Sequence, residues 1–204
     1  PWMVEGKKTA SLEIAEQLDF KPTDWVCVSV GDGCTVGGVY KGFHDLKELG
    51  LIERIPRILA VQSTGCEPFV IADHNNEPLR EAEENTIADS IAVGIPRNPI
   101  KAINAVRNSN GVWISVPDSD ILEVEALLGR TEGIFGEPAG VASLAGLMKA
   151  LKEGIIRKDE SVTFIVTGNG LKDPANAQKA ITQPEVMKPD LAILDKYLRE
   201  KEII

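Results

Sequence analysis

Two kinds of apolar pattern alternate along the chain. Trp25 to Val30, Arg57 to Gln62, Gly111 to Val116 and Ser161 to Val166 are short, rich in β-branched residues and hardly interrupted by charge. Such runs suit strands of a parallel sheet covered on both faces. Between them the apolar positions fall at steps of three and four. Val36, Val39, Tyr40, Phe43, Leu46 and Leu49 form one such series, the mark of a helix with a single buried face. Gly50 then serves as its C-cap.

The same reading places the other elements. Thr9 or Ser11 caps a helix carrying Leu12, Ile14, Ala15 and Leu18, which ends before Lys21-Pro22. Lys101 to Arg107 is helical, and Pro117-Asp118 with Ser119 or Asp120 opens a helix that runs to Leu128. The loop from Gly133 to Gly140 leads into a small-residue helix, Val141 to Leu151, suited to close packing on a sheet. Ser63 to Pro99 is punctuated by Gly65, Pro68, Asn75-Asn76, Pro78, Pro96 and Pro99. It reads as surface loops near the site, with a short helix around Thr86 to Val93. Beyond Pro174 the chain turns polar and ends in a charged amphipathic segment from Pro189 to Lys201.

Strand, helix and strand in this order predict an α/β fold: an open, mainly parallel sheet with helices on both faces. Right-handed crossovers make Trp25 to Val30 and Arg57 to Gln62 neighbours. The glycine-rich turn Gly31-Asp32-Gly33-Cys34 then lies at the C-terminal edge of the sheet, where such folds place ligands. Two readings of this turn stand side by side. It is a tight connection that needs glycine for its geometry, or it is an anion cradle in which the unpaired N–H groups of the helix start hold a phosphate. Gly31, Gly33, Gly37 and Gly38 match neither common nucleotide loop. Thr167-Gly168-Asn169-Gly170 poses the same choice at the end of the last strand: a plain strand-ending turn or a ligand contact.

Composition narrows the classes. At 204 residues and 43% hydrophobic, the chain can build a substantial core. A net charge of −9, with both signs interspersed, argues against nucleic acid or an anionic membrane as partner. Cys27, Cys34 and Cys66 lack metal-ligand spacing, and with only His44 and His74 beside them they argue against structural zinc and fit a reducing, cytoplasmic setting. No run reaches the roughly 18 apolar residues of a membrane span. The opening Pro1-Trp2-Met3-Val4-Glu5-Gly6 reads like the middle of a longer chain.

The pieces together resemble the threonine synthases, pyridoxal-phosphate enzymes of fold type II. The resemblance is to their C-terminal portion. It rests on Val4-Glu5-Gly6-Lys7-Lys8-Thr9, Val30-Gly31-Asp32-Gly33, Val61-Gln62, Glu137-Pro138-Ala139 and Thr167-Gly168-Asn169-Gly170-Leu171-Lys172-Asp173-Pro174, in that order. The last motif is the most specific. By this resemblance Gly31, Asp32, Gly33, Cys34 and Thr35 hold the phosphate of pyridoxal 5′-phosphate, and Thr167 presents a hydroxyl to the pyridine nitrogen. Glu137 supports the cofactor pocket, while Asn169 and Lys172 are structural.

The family commonly shows Gly-Asn-Gly-Gly or Gly-Asn-Ala-Gly at the phosphate loop, so Asp32 and Cys34 are departures. A carboxylate aimed into the cradle would repel phosphate; Asp32 is therefore expected to turn outward and cap the following helix. The family's Schiff-base lysine lies in a Gly-Ser-Phe-Lys-type segment, which positions 1–204 do not contain. The resemblance thus implies one α/β domain over 1–204, with a polar tail over 175–204, forming the C-terminal part of a larger homodimeric enzyme. Alone it would be inactive. The implied reaction turns O-phospho-L-homoserine and water into L-threonine and phosphate. Other fold type II enzymes, a threonine or serine dehydratase or a β-replacement enzyme, stay open, as does a non-catalytic cofactor-binding module.

Overall fold

The structure is a computed structural model that describes residues 2–181 and 185–201. Its elements run α1 (Trp2–Lys7), α2 (Thr9–Gln17), β1 (Trp25–Ser29), α3 (Cys34–Glu48), β2 (Arg57–Ser63), α4 (Pro68–Asn75), α5 (Pro99–Asn108), β3 (Val112–Val116), α6 (Asp118–Glu132), α7 (Pro138–Lys152), β4 (Val162–Phe164), α8 (Pro174–Ala180) and α9 (Leu191–Glu200). Single 3-10 turns cover Asp89–Ile91 and Gly170–Lys172. Among the described residues the strands form one parallel sheet in the order β3-β2-β1-β4, with Val26 opposite Ile58 and Thr163, and Ala60 opposite Trp113.

Alternation along each strand divides the core in two. Trp25, Cys27, Leu59, Val61, Ile114 and Val116 pack against Ile121, Val124 and Leu128 of α6 and Val141, Ala142 and Ala145 of α7. Val26, Val28, Val30, Ile58, Ala60 and Trp113 face the other way, onto Ala15 of α2, Val36, Val39, Phe43 and Leu46 of α3, and Ala102, Ala105 and Val106 of α5. Helices therefore cover both faces, as the unbroken apolar runs predict. The small residues of α7 let it approach closely: a Cβ at Gly146 would overlap Val61. There the Ser143 N–H donates to Ser29 Oγ at 3.0 Å, and Ser143 Oγ donates to the Ile165 carbonyl at 2.9 Å. Gly50, at φ 72°, ends α3 in a Schellman turn, with Gly50 N–H on Lys47 O and Leu51 N–H on Leu46 O.

Several local expectations are corrected by tertiary contacts. The first residues are helical, and neither Thr9 nor Ser11 caps α2. Ser11 is buried instead and donates to the Val39 carbonyl at 2.6 Å, fixing α2 on α3. Ser63 to Pro99 is not all loop. Pro68 is the first residue of α4, where its missing N–H costs nothing, and the buried Gln62 Oε1 accepts from Phe69 N–H at 2.9 Å and Val70 N–H at 3.2 Å. No side chain caps α6. Asp118 uses its carboxylate on Ser63 Oγ, Thr86 Oγ1 and Ile87 N–H, tying the irregular segment to the sheet. The last strand is only Val162–Phe164, a half-buried edge strand and not a buried central one.

Candidate functional site

Val30 continues the ladder by one bond to Val61 O at 2.8 Å, after which the chain leaves the sheet at Gly31. Gly33 holds φ 83°, and a Cβ there would come within 2.7 Å of Ala102 Cβ. A left-handed residue with no room for a side chain explains this glycine. Gly33 is the N-cap of α3, and among the described residues no side chain caps that helix. Its first N–H groups therefore lack both an intrahelical and a side-chain acceptor, and they carry the positive end of a 15-residue helix.

Asp32 turns away from this helix start, as expected, but it does not cap it. Its Oδ1 accepts from the Arg97 N–H at 3.1 Å, and its carbonyl accepts from Asn98 N–H at 3.0 Å. Asn98 Nδ2 donates to Gly33 O at 3.0 Å. The loop leading into α5 thus buckles the turn from outside and leaves its inner side to backbone donors.

The facing wall is made by two loops that pair with each other. Gly136 bridges Asn169, Glu137 N–H donates to Gly168 O at 3.0 Å, and Gly170 N–H donates to Phe135 O at 2.9 Å. This brings the N-cap of α7, Glu137, beside Thr167. Glu137 is 4% exposed and leaves no space at Gly168, where a Cβ would overlap its Oε1. Its Oε2 accepts no hydrogen bond from any described residue and has the Lys172 ammonium as ion-pair partner at 3.1 Å. Lys172 Nζ also donates to Ser90 Oγ at 2.5 Å. The hydrogen bond to Glu137 holds the Lys172 ammonium above its ordinary value. The Thr167 hydroxyl is exposed and makes no hydrogen bond to any described residue.

Between the walls lies a cleft of about 310 Å³. Gly31, Asp32, Gly33, Cys34, Thr35, Thr167 and Glu137 all line it. Sequence reasoning missed Met3 and Lys7 of α1, Ser90 and Ile91 of the 3-10 turn, and Lys172, which was assigned to structure alone. Asn169 does act structurally, its Oδ1 accepting from Leu171 N–H at 2.9 Å. The donors of α3 suit an anion, Val30, Ile91 and Ala139 supply apolar contact, and the Thr167 hydroxyl offers one hydrogen bond. Cys27, in the sheet below, is inert as a nucleophile because burial pushes its thiol up to about 12.

Comparison with known proteins gives a consistent result. The family described as "Pyridoxal-phosphate dependent enzyme" matches residues 1–168. Threonine synthase of Methanocaldococcus jannaschii is 39% identical over 204 residues, covering 98% of this chain and 50% of that protein. The threonine synthase of Synechocystis sp. is 40% identical over 200 residues, covering 97% of this chain and 50% of the relative. This chain thus spans about half the length of the curated relatives it matches. Among solved structures, a fungal L-serine ammonia-lyase from Rhizomucor miehei superposes with a TM-score of 0.68 at 22% identity, over 97% of this chain and 56% of that one. The processed form of threonine deaminase isoform 2 from Solanum lycopersicum gives 0.67 at 19% identity, over 87% and 48%. These two show the fold.

Proposed function

We propose, from the premise that this chain belongs to the family of pyridoxal-phosphate dependent enzymes, that it is the cofactor-phosphate-binding part of a threonine synthase. The observation that carries the reading is the 37–40% identity to threonine synthases along nearly the whole chain. The cleft supports it, because the donor set fits the cofactor: an uncapped helix start for the phosphate, a free hydroxyl for the ring nitrogen and apolar contacts between.

In this reading the first N–H groups of α3, from Gly33 to Val36, hold the phosphate, and the Gly31-Asp32-Gly33-Cys34-Thr35 loop shapes that cradle. Cys34 and Thr35 stand at the helix start and line the cleft. Thr167 presents its hydroxyl to the pyridine nitrogen. That hydroxyl would offer the nitrogen a neutral hydrogen-bond partner in place of a carboxylate. Glu137 braces the Thr167-Gly168 segment through its backbone bond to Gly168 and its carboxylate against Gly168. Val30 and Ile91 exclude water from the flanks. When bound, pyridoxal phosphate supplies the electron sink that carbanion chemistry at an amino acid requires.

The proposed reaction of the complete protein eliminates phosphate from O-phospho-L-homoserine and adds water to give L-threonine. The lysine that bonds the cofactor then comes from a segment outside positions 1–204, so residues 1–204 alone are inactive. We further assign the complete protein to the cytoplasm as a homodimer. Among the described residues no helix is long and apolar enough to cross a membrane.

The test is a substrate comparison on the complete gene product loaded with pyridoxal phosphate. Release of phosphate and formation of threonine from O-phospho-L-homoserine, well above deamination of serine or threonine, is the expected result. Faster deamination would replace the synthase by a dehydratase.

A further inference from the structure

The cleft combines two features that oppose each other. It offers an anion site on α3, yet its other wall carries a buried carboxylate, Glu137, with a side chain only 6% exposed. Both features line one cleft, and charges closer together than the Debye length, about 8 Å at physiological ionic strength, are poorly screened from each other by salt. Glu137 is anchored in the wall. Its N–H is bound to Gly168 O, its carbonyl accepts from Val141 N–H, and its carboxylate lies against Gly168. Asp32, the other acid lining the cleft, has its carboxylate on the Arg97 N–H.

We propose that Lys172 is the counter-ion that lets Glu137 share this cleft with the cofactor phosphate. The inference rests on the pyridoxal-phosphate reading above and adds a residue to it. Lys172 Nζ sits 3.1 Å from Glu137 Oε2 and 3.4 Å from Oε1, and Ser90 Oγ fixes the ammonium from the third side. Lys7, the other lysine on the cleft, makes no ion pair with any described residue, so Lys172 alone of the two is in contact with Glu137. Lys172 therefore acts through Glu137 as a positioning residue. It neutralises a carboxylate whose place is dictated by the packing of α7 on the Thr167-Gly168 segment.

The experiment measures the dissociation constants of pyridoxal 5′-phosphate and of pyridoxal, which lacks the phosphate, in the complete protein by fluorescence. Lys172→Met should weaken pyridoxal phosphate on the order of tenfold and pyridoxal by less than about twofold, because only the phosphate feels the unbalanced carboxylate. The loss should shrink at high salt. Adding Glu137→Gln to Lys172→Met should return the phosphate ligand to within about threefold of wild type, and Lys172→Arg should keep wild-type affinity. Unchanged affinity in Lys172→Met, an equal loss for both ligands, or no recovery in the double variant would each overturn the inference while leaving the cofactor reading in place. A wild-type protein that binds neither ligand would overturn that reading and the inference with it. If Lys172→Met does not fold, Glu137→Gln alone decides: equal or tighter phosphate-ligand binding supports the counter-ion, and weaker binding contradicts it.

Discussion

On its β1 side the cleft is walled by backbone, and on its β4 side by side chains. The first wall is Gly31 to Thr35, carried on a central strand whose five residues are all buried, and its donors are N–H groups that every residue except proline supplies. The second wall is Thr167 and Lys172, which follow a three-residue edge strand whose residues are only half-buried, together with Glu137 at the N-cap of α7. The comparison separates two ways of making a site. A backbone wall depends on chain geometry and packing and tolerates changes in side-chain chemistry, such as Asp32 and Cys34. A side-chain wall depends on charge balance and on loops that hold each other.

Substitutions should expose this difference, and the largest effect is expected where geometry alone is altered. Gly33→Ala forces a Cβ against Ala102 at φ 83°, which should cost about 3 kcal/mol of stability in the complete protein. It should also abolish measurable pyridoxal-phosphate binding. Denaturant titration with a binding curve checks both, and a fully stable variant would break the geometric account of the first wall.

Next comes the same substitution on the two neighbouring strands. Val26 and Val162 share one sheet, but Val26 is 0% exposed on β1 while Val162 is half-buried on β4. Val26→Ala should cost about 2–3 kcal/mol and Val162→Ala about 1 kcal/mol or less, measured by chemical denaturation. Equal losses would mean that the edge strand is as firmly packed as the centre.

The smallest effect concerns Glu125 of α6, which shares a groove with Phe135 and α8. It is 3% exposed, and neither carboxylate oxygen has a hydrogen-bond partner among the described residues. Burial, aided by the Asp173 carboxylate, raises it from 4.5 to about 7. The folded protein then holds a proton that the unfolded chain has released, so stability falls as pH rises from about 4.5 to about 7 and is level above that. Glu125→Leu should remove this slope and stabilise the protein by about 1–2 kcal/mol at pH 8. That is less than the full shift allows, because α8, which covers Glu125, buries none of its own residues and leaves the site close to solvent. Denaturation at pH 5 and pH 8 reads the change. A slope that persists in the variant would assign it to other groups.

The first wall was far more legible in the sequence than the second. Trp25 to Val30, the glycines after it and the spaced apolar face of Val36 to Leu46 carry strand, turn and helix in consecutive residues, so local chemistry specifies all three. The second wall joins residues far apart in the chain. An exposed Lys172 in a turn gains meaning only once Glu137, 35 positions earlier, is folded beside it. No spacing rule reveals that. Caps failed for the same reason. Ser11 and Asp118 are good capping residues by type, but Val39 O claims the first, and Ser63, Thr86 and Ile87 claim the second. In α4 Pro68 marks a helix start and not a break, while Phe69, Val70, Ile71 and Ala72 are apolar without helical spacing. Gln62, reaching over from β2, supplies what the local sequence lacks.

The most direct test is a crystal structure of the complete protein with pyridoxal 5′-phosphate bound. The account predicts phosphate oxygens within hydrogen-bond distance of the N–H groups between Gly33 and Val36, the pyridine nitrogen beside the Thr167 hydroxyl, and Lys172 still on Glu137. Phosphate bound elsewhere, with the α3 N–H groups facing only solvent, would contradict it.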